Sequence, residues 1–245
     1  MEAIILGAGS GLPQADRNLS SVLIRNEGCT VLADCVDGCT KRLIESKISP
    51  EELDAVFITH YHPDHVSGLF ILLQWLYLAG RTKPLYLFLP ERPSVIMDIL
   101  HVMYTFTEKF SFKLQILEME QAELYFDWIY AANTDHLYGY TNIIKDHSLA
   151  NQMKSYSLKF TGAKGDLVYS SDLGTTDCIA EFINGVDTII VDAGHPEAEQ
   201  ILKLKYRDIR RIILTHGISV SLEARKDELD KDLYEFAEED LVYVV

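Results

Sequence analysis

Three imidazoles and a carboxylate fall within six residues in His60-Tyr61-His62-Pro63-Asp64-His65. They follow directly on the apolar run Ala55-Val56-Phe57-Ile58, which reads as a buried strand closed by turn chemistry. The cluster is therefore expected at the open end of a strand. His60 and His62, two apart on extended backbone, project to the same side, while Asp64 and His65 follow a proline-forced bend and aim from a second direction. One loop can then serve two neighbouring metal ions. Imidazole and carboxylate suit zinc, and also manganese or iron. The competing reading is structural: Asp64 as the N-cap of an apolar helix from Val66 to Leu78, with the histidines on an exposed polar loop. That account suits one isolated histidine better than it suits this cluster.

Such a cluster needs a scaffold that brings distant residues to it. Upstream, Ala3–Leu6, Leu19–Arg25 and Thr30–Asp34 read as strands, followed by a helix from Cys39 to Lys47. The turn Gly7-Ala8-Gly9-Ser10-Gly11 invites a dinucleotide reading, but Pro13 and a polar run to Asn18 follow it, so no helix N-terminus is there to hold a pyrophosphate. Downstream, Leu85–Leu89 is strand-like, and Pro93 opens an amphipathic helix to about Tyr104. Phe112–Ile116 and Trp128–Tyr130 are expected in a second sheet. They lead to Asn133-Thr134-Asp135-His136, where a histidine closing a strand is preferred as a ligand over His147 in its polar segment. Residues 137–152 read as a mobile insertion over the cleft, with Tyr138, Gly139 and Tyr140 as contacts.

A hairpin, Tyr156–Phe160 and Asp166–Tyr169, runs into Ser170-Ser171-Asp172-Leu173-Gly174. The buried strand Val186–Asp192 ends at Gly194-His195, where His195 could bind phosphate, donate a proton or merely cap the helix Glu197–Leu204. Arg211–Thr215 repeats the layout of a strand followed by a histidine, at His216. A charged amphipathic helix from Glu223 to Glu239 and an edge strand from Leu241 to Val245 close the chain.

The pattern His-X-His-X-Asp-His resembles the signature of the metallo-β-lactamase superfamily, and the likeness runs from end to end. The run Leu6 to Pro13, with Arg17-Asn18 and Ser20-Ser21, is similar to the opening of ribonuclease Z and its phosphodiesterase relatives, and Leu32-Ala33-Asp34-Cys35 through Gly38 continues it. The resemblance implies a four-layer αβ/βα sandwich with His60, His62 and His136 on one metal and Asp64, His65 and His216 on a second. Asp172 would bridge the two, since Ser170-Ser171-Asp172 resembles the family's Ser-Gly-Asp-Thr motif with Ser171 in place of glycine. It also places Asp34 behind the metals, where it would fix an imidazole tautomer; the alternative is a strand-end turn residue. The His-Glu-Ala-Thr sequence of ribonuclease Z is missing, which weakens the case for that activity.

At 245 residues, without a linker, repeat or low-complexity run, the chain is expected to form one large domain. Four cysteines (Cys29, Cys35, Cys39 and Cys178) make no disulfide framework and are read as buried free thiols. The N-terminus lacks a basic region and a long apolar run, and no stretch is apolar enough for a membrane span, so a soluble cytoplasmic protein is expected. A formal net charge of −15 argues against a general nucleic-acid-binding surface. A small anionic substrate held by the metals fits that charge, and a homodimer is compatible with a sequence that does not specify its assembly.

Two divalent ions about 3.5–4 Å apart would hold a bridging hydroxide suited to phosphodiester hydrolysis, with Asp64 orienting its proton and His195 as a second catalytic group. The expected function is thus metal-dependent hydrolysis of a small nucleotide-like or other phosphodiester. Ribonuclease Z-like processing of tRNA 3′ ends, hydrolysis of a lactone, ester or thioester, and a non-catalytic metal-binding scaffold are the rivals.

Overall fold

A computed structural model describes residues 1–245. In chain order the strands are β1 (Glu2–Gly7), β2 (Ser21–Asn26), β3 (Cys29–Ala33), β4 (Ala55–Phe57), β5 (Leu85–Leu89), β6 (Leu114–Glu118), β7 (Ile129–Asn133), β8 (Tyr156–Phe160), β9 (Leu167–Tyr169), β10 (Thr188–Asp192), β11 (Arg211–Thr215), β12 (Tyr234–Phe236) and β13 (Val242–Val244). They form a seven-stranded sheet, β13-β1-β2-β3-β4-β5-β6, and a six-stranded sheet, β12-β11-β10-β9-β8-β7.

Alternation along β1 shows why the sheets stack. Successive side chains of a strand point to opposite faces, so Ala3 and Ile5 enter one apolar cluster while Ile4 and Leu6 enter another. The first pair meets Val22, Val31 and Phe57 of its own sheet and Leu158, Tyr169, Ile190 and Ile213 of the second, and that cluster fills the space between the sheets. The second pair belongs to a layer in which Leu43, Leu72, Leu76, Ile96 and Leu100 of three helices cover the first sheet's outer face. On the far side, Ile201 and Leu202 of the helix Ala198–Lys203 pack on Val168, Ile189, Val191, Ile212 and Leu214. Helix, sheet, sheet and helix make the expected four layers.

Strands β3 to β6 run parallel, as do β9 to β12. Parallel strands open their carboxyl ends on one edge, where ligand sites of α/β sheets form. The loops after β4, β7, β9, β10 and β11 carry the histidines and aspartates singled out above.

Three expectations are corrected. The helix from Val66 to Leu78 is two helices, Pro63–Val66 and Leu69–Leu78. The break falls at Gly68, where an added Cβ would stand 1.9 Å from the Val36 carbonyl oxygen, so the chain changes course against the loop after β3. The segment at Phe112–Ile116 contributes β6 to the edge of the first sheet, because its crossover helix Ser94–Val102 returns it parallel to β5. No helix spans Glu223–Glu239. Leu229, Tyr234 and Ala237 are buried at irregular spacing, and β12 adds a parallel strand beside β11 with the Tyr234 hydroxyl donating to the Ile201 carbonyl. The insertion at residues 137–152 carries a 3-10 turn, His136–Tyr140, leading into the helix Thr141–Asp146.

The edge strand near Leu241–Val245 is present, with β13 antiparallel to β1. Cys35 and Cys39 are buried, Cys29 is half-buried and Cys178 is exposed. No helix is long and apolar enough to cross a membrane.

Candidate metal centre

The loop after β4 leaves the sheet with His60 fully buried, and His62 is the last extended residue before Pro63 turns the chain into a short helix. That turn swings Asp64 and His65 to the other side of the loop, as proline's fixed φ requires. The Cys35 amide donates to the His65 carbonyl and the Gly68 amide to the Cys35 carbonyl, both at 2.9 Å, clamping the loop to the end of β3.

Asp172 is where the clusters meet. Its Oδ2 lies 3.8 Å from His60 Nε2 and 3.5 Å from His136 Nε2, whose ring nitrogen stands 3.1 Å from His62 Nδ1. Its Oδ1 lies 3.2 Å from His65 Nε2 and 3.4 Å from His216 Nε2. Asp64 Oδ2 closes the second group, 3.5 Å from His65 Nε2 and 3.4 Å from His216 Nε2. Two sets of potential ligand atoms, His60, His62, His136 and Asp172, and Asp64, His65, Asp172 and His216, each fall within 4.8 Å of one another.

These donors fit divalent cations. Metal–ligand bonds of about 2.0–2.2 Å put neighbouring tetrahedral ligand atoms about 3.3–3.6 Å apart, close to the spacings observed. His60 Nε2, His65 Nε2 and Asp172 Oδ1 are buried with no hydrogen-bond partner. Each such group costs about 1–3 kcal/mol if left unsatisfied, a cost that coordination removes. Burial holds the His60 and His136 rings neutral, His136 down to about 4 against the opposing pull of Asp172. Neutral imidazole is the form that binds a cation. Burial alone would raise the Asp64 and Asp172 carboxyls, but His65 and His216 hold both below the ordinary carboxylate range.

A further set of residues orients these donors. Asp34 accepts from His65 Nδ1 at 2.7 Å, from the Thr59 amide at 2.8 Å and from the Tyr169 hydroxyl at 3.0 Å, so it stands behind the centre. Thr59, Tyr169, Asp135 and Asp192 were not singled out by sequence. Asp192 accepts from the Leu173 and Gly194 amides and pairs with His195 Nδ1 at 3.0 Å. Asp135 accepts from the Gly174 and Thr175 amides, joining the loop that holds His136 to the one that holds Asp172. Asp192 ends β10 and Asp135 follows β7 by two residues, each within three residues of a candidate histidine, whereas Asp34 was picked out by the family resemblance.

His195 caps no helix, since the N-cap of Ala198–Lys203 is Glu197. Its ring stacks on His216 at 5.0 Å and lines the mouth of the cleft. His147 lies away from the centre, at the exposed end of the helix Thr141–Asp146. Of the contacts expected from the segment after His136, Tyr140 meets His62 ring to ring at 5.6 Å, while Tyr138 and Gly139 line neither cavity beside the centre.

Two facing mixed sheets with a histidine and aspartate centre at their shared edge define the metallo-β-lactamase superfamily and its class of metal-dependent hydrolases. Residues 1–216 match the family described as Anti-Pycsar protein Apyc1, and the chain belongs to that family. Ribonuclease Z of Picrophilus torridus is 27% identical over 261 residues, covering 86% of this chain and 84% of that one. Ribonuclease Z of Methanococcus aeolicus is 38% identical over 120 residues, 49% of this chain, and the match spans 36% of that relative's length. Among solved structures, the metallo-β-lactamase fold protein YhfI from Bacillus subtilis superposes with a TM-score of 0.74 at 18% identity, over 99% of this chain and 98% of the other. The short form of human tRNase Z gives 0.72 at 20% identity, over 100% and 99%.

Proposed function

We propose that this chain hydrolyses a small, nucleotide-like phosphodiester at two divalent cations, with His60, His62 and His136 on one, Asp64, His65 and His216 on the other, and Asp172 between them. The observation that carries this reading is the division of the Asp172 carboxylate, one oxygen toward each histidine group. Bound there, two cations activate water and neutralise charge developing on the phosphoryl oxygens. Zinc suits the donor set, as do manganese and iron.

The chain's own groups complete the chemistry. Asp64 stays ionised at neutral pH and is placed to accept a proton from the attacking water. His195 binds its proton more tightly than a free histidine, chiefly through Asp192, which holds Nδ1. That pairing leaves Nε2 to protonate the departing oxygen. The cleft, about 900 Å³, is of the size that takes small ligands, and Arg17 and Lys226 on its wall offer charge to an anion.

The ribonuclease Z relatives support cleavage of a phosphodiester. Their likeness also favours a second reading, endonuclease action on tRNA, against which stands the net charge of −15. Metal-loaded protein should cleave bis-p-nitrophenyl phosphate and leave p-nitrophenyl acetate and lactones intact. The reverse pattern would replace the reading with carboxylic ester hydrolysis, and a salt-sensitive shift of tRNA in a gel would favour the endonuclease.

A further inference from the structure

Thr59 is fully buried beside His60 and Asp34. Its backbone is held from both sides, the amide donating to Asp34 Oδ1 at 2.8 Å and the carbonyl accepting from the Tyr156 amide at 3.1 Å. That fixes where the hydroxyl stands. Thr59 Oγ1 lies 2.9 and 3.0 Å from the two Asp34 oxygens, 2.7 Å from Ser171 Oγ and 3.2 Å from His60 Nδ1. One oxygen meets a carboxylate, an alcohol and an imidazole, and all three partners are buried.

Counting protons gives each contact a direction. A carboxylate offers about four lone-pair positions, and a hydroxyl one proton and two lone pairs. Asp34 faces the Thr59 amide, the Thr59 hydroxyl, Tyr169 and His65 Nδ1, which fill those positions. The carboxylate only accepts, so Thr59 gives it the proton. Any other arrangement sets two oxygens against each other at 2.9 Å with no hydrogen between them, in a buried site where an unmet charged acceptor is most costly. Ser171, 3.4 Å from Asp34 and 2.7 Å from Thr59, then donates to Thr59 Oγ1. The lone pair that remains accepts from His60 Nδ1–H. His60 Nε2, which has no hydrogen-bond partner, is left bare on the side of Asp172.

We infer that Thr59 is a positioning residue for both halves of the centre: its hydroxyl holds His60 in the tautomer whose Nε2 can bind a cation, and ties that ring to the carboxylate that orients His65. The inference rests on the two-cation reading and adds to it that the two ligand sets share one buried acid. A metal-binding imidazole is oriented by the acceptor of its other N–H. For His65 that acceptor is Asp34 itself, and for His60 it is Asp34 acting through Thr59.

Nitrogen–proton correlation NMR of the histidine rings in the metal-free protein at neutral pH tests this directly. His60, identified by its absence in His60→Gln, should carry its proton on Nδ1, and a proton on Nε2 would overturn the inference. Zinc titration against a chelator supplies the second readout. Thr59→Val keeps the shape and removes the hydroxyl, so affinity should fall about 10–100-fold in at least one of two binding steps. Thr59→Ser, which restores the hydroxyl, should bind zinc as the unaltered protein does. Unchanged affinity in Thr59→Val would overturn the inference, and so would Thr59→Ser as weak as Thr59→Val, which would assign the effect to packing of the methyl group. If circular dichroism shows Thr59→Val unfolded, the tautomer in the unaltered protein and in Thr59→Ser decides. Fewer than two zinc ions per unaltered chain would overturn the two-cation reading and leave the tautomer result standing.

Discussion

Asp34 and His65 stand 2.7 Å apart, carboxylate to Nδ1, with both side chains buried. The same carboxylate accepts from the Thr59 hydroxyl and from Tyr169, which reaches it from the second sheet. One acid therefore fixes the ligand loop, ties the two sheets together behind it and leaves His65 Nε2 as the nitrogen free to coordinate. A carboxylate behind a metal-binding imidazole orients the ring and raises its basicity.

Asp34→Asn keeps the volume and removes the charge, so metal affinity should fall about 10–100-fold with the fold intact. Competition against a chelator measures this, and unchanged affinity would refute the role given to Asp34. Asp34→Ala should also lower the unfolding temperature, because buried donors on Thr59, His65 and Tyr169 lose their acceptor at about 1–3 kcal/mol each.

Gly11 makes the opposite kind of contact, through what it lacks. A Cβ there would stand 2.6 Å from Asp64 Oδ2, although Gly11 itself is exposed. Gly11→Ala should displace the Asp64 carboxylate and lower kcat/KM by about 10²-fold, the scale of an ångström-sized misplacement. Thermal unfolding should be nearly unaffected, and a parallel loss of stability would show that the effect is not local.

The centre was legible where neighbours in sequence are neighbours in space: His60 to His65 are contiguous, and His216 follows an apolar strand as His60 does. Asp34 was marked only by the family resemblance, and Asp135 and Asp192 were missed, because a lone aspartate near a strand end reads equally well as a turn. What distinguishes them is contact with segments distant in sequence, 40 residues away for Asp135 and up to 137 for Asp34. Alternation identified β6 as a strand without saying which sheet it joins, since both sheets have an apolar face. The charge of residues 223–239 suggested a solvated helix and hid Leu229, Tyr234 and Ala237, whose burial depends on β11 and the neighbouring helices. The wall of the cleft over Asp64 and Asp172 comes from distant segments, which no local pattern links.

Ser171 tests a residue the resemblance marked as a departure. Its φ is 50°, in the left-handed region where glycine is at ease and other residues are strained by about 1–2 kcal/mol. Against that strain, its hydroxyl lies 2.7 Å from Thr59 Oγ1. Ser171→Gly exchanges one for the other and should change stability by less than about 1 kcal/mol. Ser171→Ala keeps the strain and loses the hydrogen bond, so it should be the less stable variant. Denaturant unfolding of both decides it, and Ala equal to or above Gly would refute the account.

Metal uptake should be coupled to protons with a definite sign. In the metal-free chain His216 is pushed up to about 10: burial opposes the charge, but Asp172, Asp192 and Asp64 outweigh it. A folded value above the ordinary 6.5 means that this contribution to metal-free stability is fully present below pH 6.5 and is lost as pH rises through about 10. A cation must displace that proton, so binding at pH 7–8 should release protons and apparent affinity should rise with pH. Calorimetry in two buffers of different ionisation enthalpy measures the release. Asp192→Asn, which removes one of the carboxylates holding the proton, should reduce it, and a release unchanged in this variant would sink the assignment of His216 as the group that gives up the proton.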